Sequence, residues 1–348
     1  MNTLIVKYKT IPQNYNILEI LSENFAIIYA DINTVKNDEN IIQYEIPIKT
    51  HPMLAESKEK SCITIGGNNV GGLSGKGVIV GIIDSGITYN HREFGNRIIY
   101  IWDIPLNRVY NQEEINQGID FSDINGHGTA VAGIAAGSSG IAYGADIIAV
   151  AIGRGSSDDI MKGIKFIEDK SRELNKPFVI NISYGTNFGS HNGQSLFEQY
   201  IDEVCENNVA SIVVASGNEG DKSHHYSGKG NSTVEFNVGN RIKTVSLEMW
   251  KNYLYNATIE IISPNGDTTS VLSGRDILYS QILQNTNIEV NIQIPTPNIV
   301  EEKITITLTG KNFVDSGIWK LVIDTNENLE YDIWLPVSEG VDENTIFL

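Results

Sequence analysis

Residues 146–183 decide the fold: the apolar run DIIAVAIG (146–153) is followed by DDIMKGIKFIEDKSREL (158–174) and then by FVINIS (178–183). In the middle run Ile160, Met161, Ile164 and Ile167 recur at the three- and four-residue spacing of a helix buried along one face. Ser156 and Ser157 precede it as capping candidates, and Pro177 closes it. Two apolar strands joined by an amphipathic helix are the pattern of a parallel sheet covered by helices. Working outward, the same alternation predicts strands at 78–84, 97–103 and 210–215, and helices starting near His127 and over 195–206.

The flanks read differently. Residues 1–66 predict a small α+β unit of βαβ type, with strands at 4–8, 25–31 and 41–46, a helix near 15–21, and Pro47 and Pro52 stopping regular structure. The stretch 57–76, charged SKEK followed by glycine-rich GGNNVGGLSGKG, predicts a linker open to cutting. Beyond residue 233, eight short runs (TVEFNV, TVSLEMW, ATIEIIS, ILYSQIL, IEVNIQI, KITITLT, IWKLVI and YDIWLPV) predict an antiparallel β-sandwich of jelly-roll type. The expected division is therefore 1–66, 67–232 and 233–348.

Composition narrows the class. Forty-three acidic against 25 basic residues give a formal charge of -18, which argues against a nucleic-acid partner. The longest apolar runs, VIVGII and IIAVAI, fall far short of the ~18 residues of a spanning helix, so no membrane partner is expected. MNTLIVKYKT has no signal-peptide pattern, which predicts synthesis in the cytoplasm without export by the usual route. Cys62 and Cys205 match no metal or disulfide framework, and no stretch has the spaced carboxylates of an EF-hand loop.

Three ordered stretches carry chemistry. IVGIIDSGI (79–87) ends an apolar strand in Asp84, a carboxylate placed to hold an imidazole in one tautomer. NGHGTAVAGIAAG (125–137) sets His127 between two glycines at the start of a small-residue helix, whose N-terminus disfavours positive charge and suits a general base. VVASGNEG (213–220) closes another strand with Asn218, an amide able to donate to a developing oxyanion. His51, His91, His191, His224 and His225 are expected to be structural. A nucleophilic serine in a Gly-Thr-Ser stretch is missing: Gly128-Thr129 is followed by Ala130 and Gly185-Thr186 by Asn187.

Together these stretches resemble the subtilisin-like serine proteases, the subtilases. The resemblance implies that Asp84 and His127 are the triad acid and base and Asn218 the oxyanion donor, the order and the amide for which subtilisin is the standard example. It implies that Ser183, Tyr184 and Gly185 pair with an extended peptide, and that Ala215, Ser216 and Gly217 line the pocket for the residue before the scissile bond. Residues before the first motif resemble the family's propeptide, chaperone and inhibitor of its own enzyme. The sandwich after Asn218 is similar to the jelly-roll insertion of the clostridial Csp proteases, which implies incorporation into the spore and activation of a cortex-lytic zymogen at germination. No cofactor is implied; structural calcium is common in the family, but no ligands can be named here.

Without the serine the chain alone is expected to be inactive. It also stops at NTIFL without a further strand and helix to finish the sheet, so a fragment of a longer endopeptidase precursor is expected. The alternative is a pseudoprotease that binds or senses within a germination complex. A weaker third reading makes the sandwich a carbohydrate-binding module that stacks sugars on Trp250, Tyr253, Tyr255, Trp319 and Trp334.

Overall fold

The computed structural model describes residues 1–12, 14–47, 51–52, 64–65, 68–69, 72–153, 155–273, 278–293, 300–337 and 341–348. They form two compact units: 1–185 with 196–218, and 186–195 with 219–348. The division expected at residue 233 differs from this one, because residues 186–195 and 219–232 group with the sandwich and residues 1–66 group with the parallel sheet. Most of the 57–76 linker, and Cys62 with it, lies outside the described residues.

In the first unit, β1 (Asn2–Tyr8), β2 (Asn16–Ile20), β3 (Phe25–Ala30), α1 (Ile32–Lys36) and β4 (Ile41–Glu45) build a four-stranded sheet in the order β2-β3-β1-β4. Its described pairings are antiparallel, and β3 and β4, which flank β1, run parallel to each other and are joined through α1, so a βαβ crossover is present but lies later than the one expected around a helix at 15–21. The helix expected at 15–21 is strand β2, paired to β3 with a bulge at Leu18. A seven-residue helix gains few internal hydrogen bonds for the cost of nucleating it, whereas the same stretch gains a ladder along β3. The helix that does form follows β3, where the Asp31 carboxylate accepts from the N–H groups of Asn33 and Thr34.

Next come the short pieces β5 (His51–Pro52), β6 (Thr64–Ile65) and β7 (Asn68–Asn69). The main sheet uses β8 (Ile79–Asp84), β9 (Ile98–Asp103), β10 (Arg108–Asn111), β11 (Asp146–Ala151), β12 (Phe178–Ile182) and β14 (Ala210–Val214), in the order β10-β9-β11-β8-β12-β14. All neighbours are parallel except β10, which turns back on β9. Between these strands lie α2 (Gln112–Gln117), α3 (His127–Ala136), α4 (Ser157–Leu174), the short β13 (Tyr184–Gly185) and α5 (Leu196–Asn207).

Side-chain alternation along β8 sends Ile79 and Ile83 to one core, with Ile160, Met161, Ile164 and Ile167 of α4 and with Leu196, Tyr200 and Val204 of α5. Each of the four fully buried α4 side chains contributes about 1.5–3 kcal/mol relative to exposure. Gly81 lets α4 approach closely, since a Cβ there would meet Ile167 Cδ1 at 2.6 Å. Val80 and Ile82 face the other way, toward Val131, Ala132 and Ala136 of α3. Asp84 continues that second series and ends the strand on the side of α3.

The second unit contains β15 (His225–Lys229), β16 (Ser232–Val238), β17 (Thr244–Asn252), β18 (Thr258–Ile262), β19 (Leu278–Leu283), β20 (Thr286–Gln293), β21 (Glu301–Gly310), β22 (Gly317–Asp324), β23 (Glu330–Trp334) and β24 (Ile346–Phe347). They form a six-stranded sheet, β15-β23-β17-β21-β20-β19, and a four-stranded sheet, β18-β22-β16-β24. One apolar core joins the two, with Leu247, Met249 and Ile306 from the first and Phe236, Trp319 and Leu321 from the second. The eight β-rich runs each supply a strand; β15 and β24 were not foreseen.

Candidate active site

The ends of β8, β12 and β14 lie side by side in the parallel sheet, so the segments that follow them leave from one edge, the place where open α/β sheets collect ligands. Asp84 is completely buried at the end of β8. Its Oδ1 accepts from the Ser85 N–H at 2.7 Å and from His127 Nδ1 at 2.7 Å. Because a carboxylate only accepts, Nδ1 carries the proton, and in the neutral ring Nε2 is left with its lone pair. The His127 side chain is 12% exposed, while its Nε2 atom is buried.

Helix α3 is positioned by two devices. Gly126 enters it with φ 78°, a left-handed turn that suits glycine. Gly128 passes so close to the loop after β8 that an added Cβ would stand 2.2 Å from the Gly86 carbonyl oxygen and 3.0 Å from Asp84 Cβ. Without that contact the imidazole could not reach the carboxylate.

Asp123, which sequence reasoning missed, ties the same pieces together. Its Oδ1 accepts from Ser85 Oγ (2.8 Å) and from the Gly126 N–H (3.0 Å), and its Oδ2 from the Thr129 N–H (2.8 Å) and hydroxyl (2.6 Å). Ser85 Oγ in turn accepts from the Gly128 N–H at 3.0 Å. Burial alone would raise the Asp123 pKa, but the hydrogen bonds from Thr129, Ser85 and Gly126 outweigh it and leave the carboxyl below its ordinary value. An aspartate four residues before the helix reads as a turn residue in sequence, and nothing local marks its longer reach.

Tyr184 meets the His127 ring edge to face, with centroids 6.4 Å apart. Its hydroxyl donates to the Gly153 carbonyl at 2.9 Å, and burial, with the Asp84 and Asp123 charges adding, pushes its pKa well upward, so the phenol stays neutral. Ser183 Oγ accepts from Asn181 Nδ2 at 2.8 Å. Tyr184–Gly185 forms an antiparallel ladder with His51–Pro52. On the neighbouring strand, the Ala215 N–H donates to the Ile182 carbonyl at 3.0 Å, which starts Ala215, Ser216 and Gly217 alongside Ser183; Gly217 turns with φ 95°, and exposed Asn218 follows. His127 thus touches both Asp84 and Tyr184, while the 215–218 segment leaves from the adjoining strand end.

This ordered set of motifs has a recognisable source. The sequence pattern of the subtilase family (Peptidase_S8) matches residues 75–257. The chain belongs to the subtilase family. The structure of the Clostridium perfringens CspB protease is 36% identical, with a TM-score of 0.73, over 79% of this chain and 64% of that one. Among curated subtilases, subtilisin-like protease 9 of Arthroderma benhamiae is 27% identical over 272 residues, 74% of this chain and 62% of that protein. Subtilisin-like protease 3 of Saccharomyces cerevisiae is 28% identical over 220 residues, 58% of this chain and 41% of that protein. The chain therefore spans less than two thirds of the length of these relatives.

Other candidates resolve differently. Among the described residues no group of three or more His, Cys, Asp or Glu side chains is placed to hold a metal ion, and no helix is long and apolar enough to cross a membrane. His91 packs on Phe94, and buried His224 is 2.7 Å from Glu219. The flat aromatic platform for sugars is not formed by Trp319 and Trp334. Trp319 lies wholly in the sandwich core, its Nε1 donating to the Asp315 carbonyl at 2.8 Å, and Trp334 is covered by two histidine rings.

Proposed function

We propose that this chain is part of a subtilisin-like endopeptidase precursor of the Csp type. The observation that carries the reading is the 2.7 Å hydrogen bond between buried Asp84 and His127 Nδ1. In the proposed reaction Asp84 orients the ring and stabilises the imidazolium, His127 Nε2 takes the proton of a serine hydroxyl, and Asn218 donates to the tetrahedral oxyanion. The serine comes from a further part of the protein. Its place is consistent with strand β14, an edge of the main sheet where Val213 is 54% and Val214 45% exposed, an apolar edge that a further strand would cover.

Residues 1–66 act as propeptide in this reading, with the sandwich at 233–348 as a jelly-roll insertion. Ile5, Leu21, Phe25 and Ile27 share a core with α5, and the Glu45 carboxylate accepts from the Leu196 N–H at 2.8 Å, where an anion suits the start of α5. The pairing of His51–Pro52 with Tyr184–Gly185 puts the chain's own backbone on the strand proposed to receive a peptide, the geometry of β-augmentation. Ala215, Ser216 and Gly217 would form the wall of the specificity pocket. The junction proposed between Pro47 and Ser61 falls mostly outside the described residues. The proposed substrate is a cortex-lytic zymogen at spore germination, supported by the likeness to CspB.

A serine-reactive fluorophosphonate applied to the full-length protein tests this. Labelling is expected, with loss of at least about 1,000-fold in rate for His127→Ala at unchanged folding. A folded full-length protein that does not label would overturn the protease reading and favour a pseudoprotease that binds. Cleavage of purified cortex-lytic zymogen, followed by gel, tests the substrate.

A further inference from the structure

Alternation carries strand β12 past its own end. Phe178, Ile180, Ile182 and Tyr184 point to one side and share the core beneath α4 and α5, together with Ile83 of β8 and Ile152 just beyond β11. His127 opens α3, whose Val131, Ala132 and Ala136 cover the other face of the sheet. A ring from the α4 face can meet a ring from the α3 face only beyond a strand end. Strand β8, which lies between β11 and β12, supplies that end at Asp84. There the Tyr184 and His127 rings stand edge to face, with centroids 6.4 Å apart and 88° between planes.

Two ties fix the Tyr184 ring. In register, Ala151 of β11 is level with Asp84, and Ile182 of β12 with Ile83. Gly153 and Tyr184 each lie two residues beyond those partners, on opposite sides of β8. The 2.9 Å hydrogen bond that the Tyr184 hydroxyl donates to the Gly153 carbonyl therefore crosses the end of β8. The second tie is the main chain, where Tyr184 pairs with Pro52. Burial first, and then the charges of Asp84 and Asp123, hold the phenol protonated, so the hydroxyl stays a donor. The 2.7 Å bond to Asp84 holds the imidazole at Nδ1, but rotation about its Cβ–Cγ bond is broad and is limited by packing. Tyr184 packs on this ring, and a swing of the ring plane would lengthen the contact with Asp84 and re-aim Nε2.

We propose that Tyr184 is a positioning residue for the general base: its ring, tied across the end of β8, sets the plane in which His127 meets Asp84. The placement stands on the contacts above, while its consequence for catalysis rests on the protease reading. This role differs from that of the Tyr184–Gly185 main chain, proposed above to pair with a peptide. Loss of peptide pairing raises KM, whereas a misaimed base lowers kcat.

The test compares full-length Tyr184→Leu and Tyr184→Phe with wild type, with folding checked by circular dichroism. The downfield His127 Nδ1 proton, assigned in NMR spectra by its absence from His127→Ala, reads the ring, and kcat and KM on an extended peptide read its consequence. Tyr184→Leu, which stays apolar but has no ring, should speed exchange of that proton with water about tenfold and lower kcat about tenfold, with KM changed less than about twofold. Tyr184→Phe, which keeps the ring and loses the tie to Gly153, should show both effects at about threefold. A raised KM with unchanged kcat, or wild-type proton exchange in Tyr184→Leu, overturns the positioning role. Should Tyr184→Leu not fold, Tyr184→Phe carries the test, and wild-type values for both readouts overturn the role. A wild-type protein that shows the proton but has no peptidase activity overturns the protease reading alone, and proton exchange then decides whether Tyr184 sets the ring.

Discussion

The two units use their polar groups in opposite ways. In the parallel sheet, β8 is buried on both faces, and its one charged residue, Asp84, waits at the strand end beside His127. In the sandwich the polar groups are paired off within the unit: Lys251 and Glu302 are both nearly fully buried 2.5 Å apart, and Trp334 lies between two histidines. A parallel sheet with helices on both faces has only its strand ends left for chemistry, whereas an antiparallel sheet offers a whole solvated face for docking. The same chain thus keeps its proposed catalytic pair, Asp84 and His127, at a strand end in one unit and stacks His191 and His225 on Trp334 in the other.

The contrast can be broken from either side. The largest stability effect is expected from Trp319→Ala, which empties the sandwich core and should cost about 3–5 kcal/mol in denaturant unfolding. The downfield Nδ1 proton of His127, read by NMR, should persist at a temperature where the variant is folded; its disappearance would show the two units to be one energetic block. Gly128→Ala should do the reverse. With a Cβ 2.2 Å from the Gly86 oxygen, overpacking costs about 1–3 kcal/mol, but the His127 proton resonance and fluorophosphonate labelling should be lost.

A smaller effect is expected from Asp123→Asn, and it is read as a pH dependence. The folded-state pKa of Asp123 is lowered, so its ionisation contributes stability that is present above the unfolded value of ~3.9 and disappears as pH falls through the folded value. Wild type should therefore lose more stability than the Asn variant on acidification through that acid window, as followed by thermal unfolding. Equal acid slopes for the two proteins would remove Asp123 from the account of how the loops are held.

Legibility in the sequence followed the range of the interactions. The α4 helix, from Ser157 to Leu174, was readable because its apolar spacing and its stop before Pro177 are local. The strands of the sandwich were readable from alternation, since their inward residues all meet one core. Strand β2 was misread because Ile17, Leu18 and Ile20 fit either period over so short a stretch, and only β3 decides between them. Asp123 and Glu45 were missed for a related reason. Their partners Ser85 and Leu196 lie 38 and 151 residues away, and no local spacing encodes such a pairing.

By itself the order of residues determined that Asp84 would end a strand, His127 begin a helix and Asn218 follow a strand, because strand and helix periods are short and each motif carries its own glycine turns. Which of these groups touch was decided only by the tertiary structure. Contact between Asp84 and His127 requires β8 and α3 to approach through Gly128, and the loops to be tied by a carboxylate that looks ordinary in sequence. Proximity between distant residues is a property of packing, and packing is set by the whole core rather than by any one stretch of the chain.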